Sequence, residues 1–373
     1  MKKITILALH LGFGGIEKYI STLCQILEEE YDINIICTYK VQNNPAFYFS
    51  DKIKINYLIN DKPDNISLKV LIKKVKIFSI IKELLRRLKF KYQEQAYNIK
   101  AIRNLDTDIL ITTRIFHDRL VYKYLKNKHI KTIATEHNFH NTEKYTKDLF
   151  KYVSRFDYLI LCSKELLKDY KKHFDHTKCV YIPNCVGSLS EDYTNFSGKN
   201  IISVARFSEE KGLLDLIDVF DLIHKQDKKI KLYLLGDGYQ RDEIALKIKA
   251  KHLDNSIVMP GFVDTLDQYN YYMDSSIYVM TSFTEAFGLV LIEAMNYGLP
   301  CIAFDCASGP RELLEDKKYG ILISNRNKDK MAKEVVALIN DKTGLKVYQK
   351  AVLKYVNNFS IEKIKEEWIK LLK

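Results

Sequence analysis

The 373-residue sequence contains no C-x-x-C pair among its seven cysteines, and seven is an odd number. That argues against a zinc knuckle or a disulfide frame, and most of these cysteines stand in apolar surroundings that read as reduced core. No apolar run approaches the roughly 18 residues of a spanning helix. The opening residues break into glycine after too few apolar positions for a secretory signal, so a cytosolic protein is expected. Low-complexity tracts are absent, and no repeat appears beyond the doubling of one α/β half. Missing too is G-x-G-x-x-G: Gly12, Gly14 and Gly15 follow the first strand, but Lys18 stands where the third glycine belongs, which argues against NAD. The pairs His137 with His140 and His173 with His176 lack a carboxylate or third ligand at metal spacing, and Asp106-Thr-Asp108 reads as a turn. No cofactor and no metal ion is expected.

What is present is globular. Hydrophobic residues make up 47% and charged residues 28%, enough apolar material for a large core, and the length suggests about two or three domains. The net charge of +12 favours an anionic partner, whether nucleotide, phospholipid surface or nucleic acid.

Short apolar runs alternate with helical stripes along the chain. Strands are expected over 4–9, 33–38, 53–58, 108–112, 131–135, 158–162, 200–205, 231–235, 276–280 and 301–304, with helices between them. The polar, irregular stretch 187–199 is the best boundary. The expected organisation is therefore α/β: a Rossmann-like domain over 1–187, a linker over 188–199, a second Rossmann-like domain over 200–355 and a terminal helical segment over 356–373.

The chain is organised around Thr281–Pro300. The stretch 276–280, from Ser276 to Met280, reads as strand, and the apolar residues after Gly288 fit one helix face that Gly298 closes and Pro300 cannot continue. The loop thus sits at a strand's carboxyl end, where open α/β sheets bind ligands, and the helix start offers backbone N–H groups suited to phosphate. Glu285 precedes the helix and Glu293 lies eight positions on, slightly more than two turns, so both can face one crevice. Carboxylates beside an anion site suit a ligand with both phosphate and hydroxyls, as a nucleotide sugar has. The bland alternative is a dipole-stabilising Glu285 and a solvated Glu293. Arg206 and Lys211 stand at another strand-to-helix junction, and Gly236 opens a tight turn at the end of a third strand. His137 falls at a strand end as well, where a structural and a catalytic role are both open.

Between Lys69 and Lys91 nine basic residues face the single acid Glu83. Such a helix can lie on an anionic membrane surface, on the inner face of the plasma membrane for a cytosolic protein. An ordinary surface helix packing its Leu/Ile face on the sheet is the alternative.

Arg206 with Lys211-Gly212, Glu285 and Glu293 in Glu-Ala-Phe-Gly-Leu-Val-Leu-Ile-Glu-Ala-Met, Gly14-Gly15-Ile-Glu17, Thr135-Glu-His137-Asn and Ile182-Pro-Asn184 stand in one order. Together they resemble the retaining glycosyltransferases of family 4, with the GT-B fold of two Rossmann-like, doubly wound domains facing a central cleft. The resemblance spans essentially the whole chain and is most specific in its carboxyl half. It implies a nucleotide-sugar donor held mostly by the second domain, an acceptor held mostly by the first, and a final helix packing back toward the first domain. Arg206 and Lys211 would clamp the diphosphate, Glu285 would touch the donor sugar's hydroxyls, Glu293 the ribose, and His137 the donor sugar. Gly15, Gly236, Phe287, Gly288 and Leu289 would complete the donor contacts. Cys185-Val-Gly after Asn184 and Gly309-Pro-Arg-Glu312 depart from the family pattern, and the second departure bears on the choice of donor sugar.

Enzymes of this resemblance build capsule, exopolysaccharide or lipopolysaccharide units from UDP-sugars on a polyprenyl-diphosphate lipid. A teichoic-acid or protein acceptor is the alternative within that class. A glycosyltransferase-like subunit that binds without catalysing is the competing reading from another class, disfavoured by the intact Arg206, Lys211, Glu285 and Glu293. Nucleic-acid binding has only the net charge behind it and no motif.

Overall fold

The computed structural model describes residues 1–61, 77–137, 142–263 and 265–373. These form two compact units, residues 1–161 with 167–181 and residues 162–166 with 182–373. Each unit is built on one parallel sheet with helices between successive strands.

In the first unit β1 (Lys2–Ala8), β2 (Tyr31–Tyr39), β3 (Lys54–Ile59), β4 (Ile109–Thr112), β5 (Lys131–Glu136), β6 (Tyr158–Leu161) and β7 (Lys178–Tyr181) lie in the order β3-β2-β1-β4-β5-β6-β7. Its helices are α1 (Gly15–Leu27), α2 (Ile77–Arg103), α3 (Ile115–Tyr124) and α4 (Glu143–Val153), followed by α5 (Lys164–Tyr170), whose first residues cluster with the second unit. The second sheet holds β8 (Asn200–Val204), β9 (Lys231–Leu235), β10 (Ile257–Gly261), β11 (Ile277–Met280), β12 (Cys301–Phe304) and β13 (Gly320–Ile323) in the order β10-β9-β8-β11-β12-β13. Its helices are α6 (Leu213–Gln226), α7 (Arg241–Ala250), α8 (Thr265–Met273), α9 (Leu289–Asn296), α10 (Ser308–Leu314), α11 (Lys328–Asn340), α12 (Lys342–Val356) and α13 (Ile361–Leu372).

Strands at the sheet centres are apolar on both faces because helices cover both. β4, β11 and β12 are buried at every position, as expected of a doubly wound sheet. The edge strand β10 alternates in burial and accommodates Pro260, which a central strand could not. In α1 the stripe Ile16, Tyr19, Ile20, Leu23, Ile26 and Leu27 is buried as its spacing predicts. Ser360 caps α13, where Ile364, Trp368 and Leu372 turn inward.

In both sheets the chain reverses direction of growth between two neighbouring strands, β1 and β4 in the first and β8 and β11 in the second. Ligands of open α/β sheets bind at such switch points, outside the carboxyl ends of the strands. In the second sheet β8 and β11 pair only at Ile201 with Ile277 and Ile202 with Tyr278. Beyond that the strands part, and the Tyr278 hydroxyl fills the gap, donating to the Val204 carbonyl at 3.1 Å and accepting from its N–H at 3.4 Å.

Element bounds differ from expectation by a residue or two, as fraying ends do. The helix expected across residues 69–91 is described from Ile77 onward, and residues 69–76 lie outside the described residues. The polar stretch 187–199 is fastened to the second unit. Thr194 donates its hydroxyl to the Ser275 carbonyl at 2.7 Å and its N–H to Tyr297 at 3.0 Å, and Ser190 N–H meets Asn296 at 3.0 Å.

Candidate active site

After β8 the chain makes a short 3-10 turn over Glu209–Lys211 and enters α6 through Gly212. After β11 it runs through Thr281–Gly288 into α9. The switch point brings these two loops together. Lys211 Nζ lies 2.9 and 3.0 Å from the two carboxylate oxygens of Glu285, both side chains being about one-fifth exposed. The backbones are joined too: Phe283 N–H donates to the Glu210 carbonyl at 2.8 Å, and the Thr281 hydroxyl to the Lys211 carbonyl at 3.3 Å.

Gly212 explains why the loops can approach so closely. Its φ is +60°, and a Cβ there would stand 2.2 Å from the Thr281 carbonyl oxygen. Gly236, at φ +123°, does the same for the turn after β9, where a Cβ would lie 1.9 Å from the Ala205 carbonyl oxygen. Gly236 therefore braces the segment leading to Arg206. Arg206 itself points outward and donates to Glu210 at 2.9 Å.

Gly288 ends the loop as the N-cap of α9 and has no side chain with which to cap it, a helix start of the kind that suits an anion. Phe287 turns its ring inward against Phe359, with centroids 5.8 Å apart, and Gly309 packs on its backbone. Phe287 can thus meet a ligand only through its peptide group. Glu293, on α9, is half-buried. Burial holds the Tyr278 phenol well above its ordinary pKa, and the charges of Glu293 and Glu285 push it the same way. Both carboxylates therefore act on one buried ring at the switch point.

Arg326 is a functional candidate that motif reasoning missed. It follows β13 in a turn where Asn325 and Arg326 both have positive φ, +54° and +50°. That backbone costs ordinary residues about 1 kcal/mol or more each. The guanidinium donates to the Thr281 carbonyl at 2.9 Å, the Ser282 carbonyl at 2.9 Å and Asp215 at 2.6 Å. It also stacks over Phe283 at 3.7 Å and Phe304 at 4.5 Å, so one side chain fixes the root of the Glu285 loop. No short motif marks such a residue, because the two carbonyls it holds lie more than forty positions away.

Glu312 serves the fold here. Its carboxylate accepts from the Ser163 hydroxyl at 2.8 Å and from the Lys164 and Glu165 N–H groups at 2.9 and 2.7 Å, which caps the start of α5. Arg311 adds an ion pair to Asp305 at 2.5 Å.

The first unit has its own switch-point cluster. Glu17, on α1 and only 3% exposed, accepts from Arg114 after β4 at 2.7 Å, with His10 Nδ1 3.4 Å away. A Cβ at Gly14 would stand 2.1 Å from the Glu17 carboxylate, so Gly14 makes room for that side chain, while Gly15 is exposed at the helix start. His137 follows β5, with Nε2 2.9 Å from the Thr135 hydroxyl and its ring 4.1 Å from that of Tyr19. Burial, reinforced by Arg114, pushes the His137 pKa down to about 3. Near neutral pH it is an uncharged hydrogen-bonding group. His137 thus belongs to the first unit, Lys211 and Glu285 to the second.

Among the described residues, no cluster of three His, Cys, Asp or Glu side chains is arranged to hold a metal ion, and no helix is long and apolar enough to cross a membrane.

The family model described as "Glycosyl transferases group 1" matches residues 192–355, which span β8 to β13, the Lys211–Glu285 pair and α9. The carboxyl-terminal unit belongs to this glycosyltransferase family. Over its full length the chain is similar to an uncharacterized glycosyltransferase of Haemophilus influenzae, at 29% identity covering 99% of each chain. It is also 25% identical, over 100% of each chain, to the Campylobacter jejuni N-acetylgalactosamine-N,N'-diacetylbacillosaminyl-diphospho-undecaprenol 4-alpha-N-acetylgalactosaminyltransferase. Among solved structures, Staphylococcus aureus TarM in complex with Fondaparinux, alpha-GlcNAc-glycerol and UDP superposes with a TM-score of 0.79, covering 100% of this chain and 99% of that one. Identity there is 18%, so the likeness is one of fold. The architecture is that of the GT-B glycosyltransferases, two Rossmann-like parallel sheets with flanking helices.

Proposed function

We propose that this glycosyltransferase is a retaining enzyme of family 4. It would move a hexose or N-acetylhexosamine from a UDP-sugar to a polyprenyl-diphosphate-linked or other surface-glycan acceptor. The observation that carries the reading is the meeting of Lys211 and Glu285 at the switch point of the second sheet, on the loop that leads through Gly288 into α9. When the bond from the sugar's anomeric carbon to the diphosphate breaks, its electron pair stays on a phosphate oxygen, and negative charge collects there. Lys211, Arg206 and the α9 N–H groups are the donors assigned to that charge, so the reading needs no metal ion. Glu285 then holds Lys211 in place and offers its oxygens to the sugar's hydroxyls, and Glu293 is assigned to the ribose.

The acceptor is assigned to the first unit, where Gly15 is exposed and neutral His137 can hydrogen-bond a hydroxyl. A lipid-linked acceptor is supported by the activity in the name of the Campylobacter relative.

The test is a hydrolysis and transfer screen across UDP-, GDP- and ADP-sugars, with and without chelator, while the product's anomeric proton is followed by NMR. UDP release unaffected by chelator, and a product that keeps the donor's α configuration, are the expected results. A β product would remove the family 4 assignment, and release of no nucleotide from any donor would favour a silent binding subunit.

A further inference from the structure

Helix α2 shows an apolar stripe to solvent. Ile81, Leu84, Leu85, Leu88 and Tyr92 are each between 45% and 75% exposed. Their spacing of 0, 3, 4, 7 and 11 residues puts them on one arc about 100° wide and about 17 Å long. Single exposed leucines are ordinary on a protein surface. Five large apolar side chains in one contiguous stripe mark a contact site.

The charges around the stripe are sorted. Glu83, the acid of this segment, is turned away from it and accepts from Arg86 at 2.7 and 2.8 Å and from Arg87 at 3.0 Å. Lys82, Lys89 and Lys91 are exposed. At 100° per residue, Lys82 and Lys89 border one edge of the stripe and Lys91 the other. The rim is cationic on both sides.

We propose that this stripe seats α2 in the headgroup region of an anionic bilayer, with Leu85, Leu88 and Tyr92 buried and the three lysines against the lipid phosphates. Helices of this pattern lie about 5–10 Å deep in the interface. A second copy of the chain is a poorer occupant, because a symmetric pairing of two such stripes sets lysine rim against lysine rim. Of the nine basic residues between Lys69 and Lys91, Arg86 and Arg87 engage Glu83, and Lys69, Lys73, Lys74 and Lys76 lie outside the described residues. The inference stands on α2 and does not depend on the donor chemistry.

The test is sedimentation of the full chain with phosphatidylcholine vesicles carrying about one-third phosphatidylglycerol. The parent should partition onto these vesicles and hardly at all onto pure phosphatidylcholine. Leu85→Ser with Leu88→Ser should weaken partitioning about 30-fold by removing buried apolar area. Lys82→Gln with Lys89→Gln and Lys91→Gln should weaken it about 100-fold. Both variants should keep the parent's circular dichroism and thermal midpoint, since the altered side chains are exposed. A parent that fails to sediment, or a leucine variant that binds as the parent does, overturns the proposal. So does a parent dimer that the leucine variant dissolves while vesicle binding stays unchanged, which would assign the stripe to a second copy.

Discussion

Lys211 and Glu285, 74 positions apart in the sequence, meet with Nζ 2.9 and 3.0 Å from the two carboxylate oxygens at the point where β8 and β11 part. A partly exposed ion pair of this kind stabilises a fold by about 1 kcal/mol or less. A positioned donor to charge that develops in a transition state is worth about 3–4 kcal/mol. The pair's larger effect is therefore expected in rate rather than in folding. The first unit repeats the geometry with the signs exchanged: Glu17 follows β1, Arg114 follows β4, and they meet at 2.7 Å at that sheet's switch point.

Gly212→Ala tests how the two loops are held together. A Cβ would collide with the Thr281 carbonyl oxygen at 2.2 Å, in a backbone that favours glycine. The clash is with main chain, so the β8 loop must shift. A loss of about 2–3 kcal/mol in urea unfolding is expected, together with weakened donor binding. A variant as stable as the parent would mean that the loops are not in contact as described.

Arg326→Lys separates positioning from chemistry. Lysine keeps the charge but not the planar stack on Phe283 and Phe304 or the fork to two carbonyls. Because Arg326 fixes the root of the Glu285 loop, donor KM should rise about 10-fold while kcat falls less. Unchanged donor KM in steady-state kinetics would return Arg326 to a purely structural role.

The α/β alternation was legible because central strands of doubly wound sheets read as short apolar runs, and β4, β11 and β12 do. The Glu285 loop was legible as well, since a strand, a glycine and a helical stripe announce a ligand-facing junction. Which cation would face Glu285 was not, because that depends on β8 lying beside β11, and periodicity does not encode strand order. Arg326, and the backbone contacts of Glu312, were not legible for a related reason: each acts on backbone groups far away in the chain, so no local spacing betrays them. The apolar stripe of α2 could be read as helical, but whether it faces the core or water is decided by packing.

Three groups shifted by burial, His117 and Asp118 on α3 and His137 after β5, together give the chain a stability maximum. Burial, aided by Arg114, pushes His117 down to about 3, and burial with the nearby Glu136 pushes Asp118 up to about 8. Below about pH 6.5 the unfolded chain takes up a proton at His117 that the folded chain refuses, so stability falls toward acid. His137 acts in the same direction. Asp118 acts in the opposite one: its neutral form contributes fully below about pH 4, and the contribution is lost as pH rises through about 8. Each group changes stability by about 1.4 kcal/mol per pH unit within its window. Urea unfolding at pH 5, 6.5 and 8 should show a maximum near 6.5. His117→Gln should flatten the acid side and Asp118→Asn the alkaline side, and parent-like slopes in both variants would contradict these assignments.

The central claim is that Lys211 carries charge growing on the departing diphosphate, and the rate of UDP release by purified Lys211→Ala tests it most directly. Turnover should fall about 100- to 1,000-fold, chiefly in kcat, with a thermal midpoint within a few degrees of the parent's. Arg206→Lys, measured alongside, should lose less, since Arg206 is well exposed and engages Glu210 rather than Glu285. A folded Lys211→Ala protein that releases UDP at the parent rate would contradict the account.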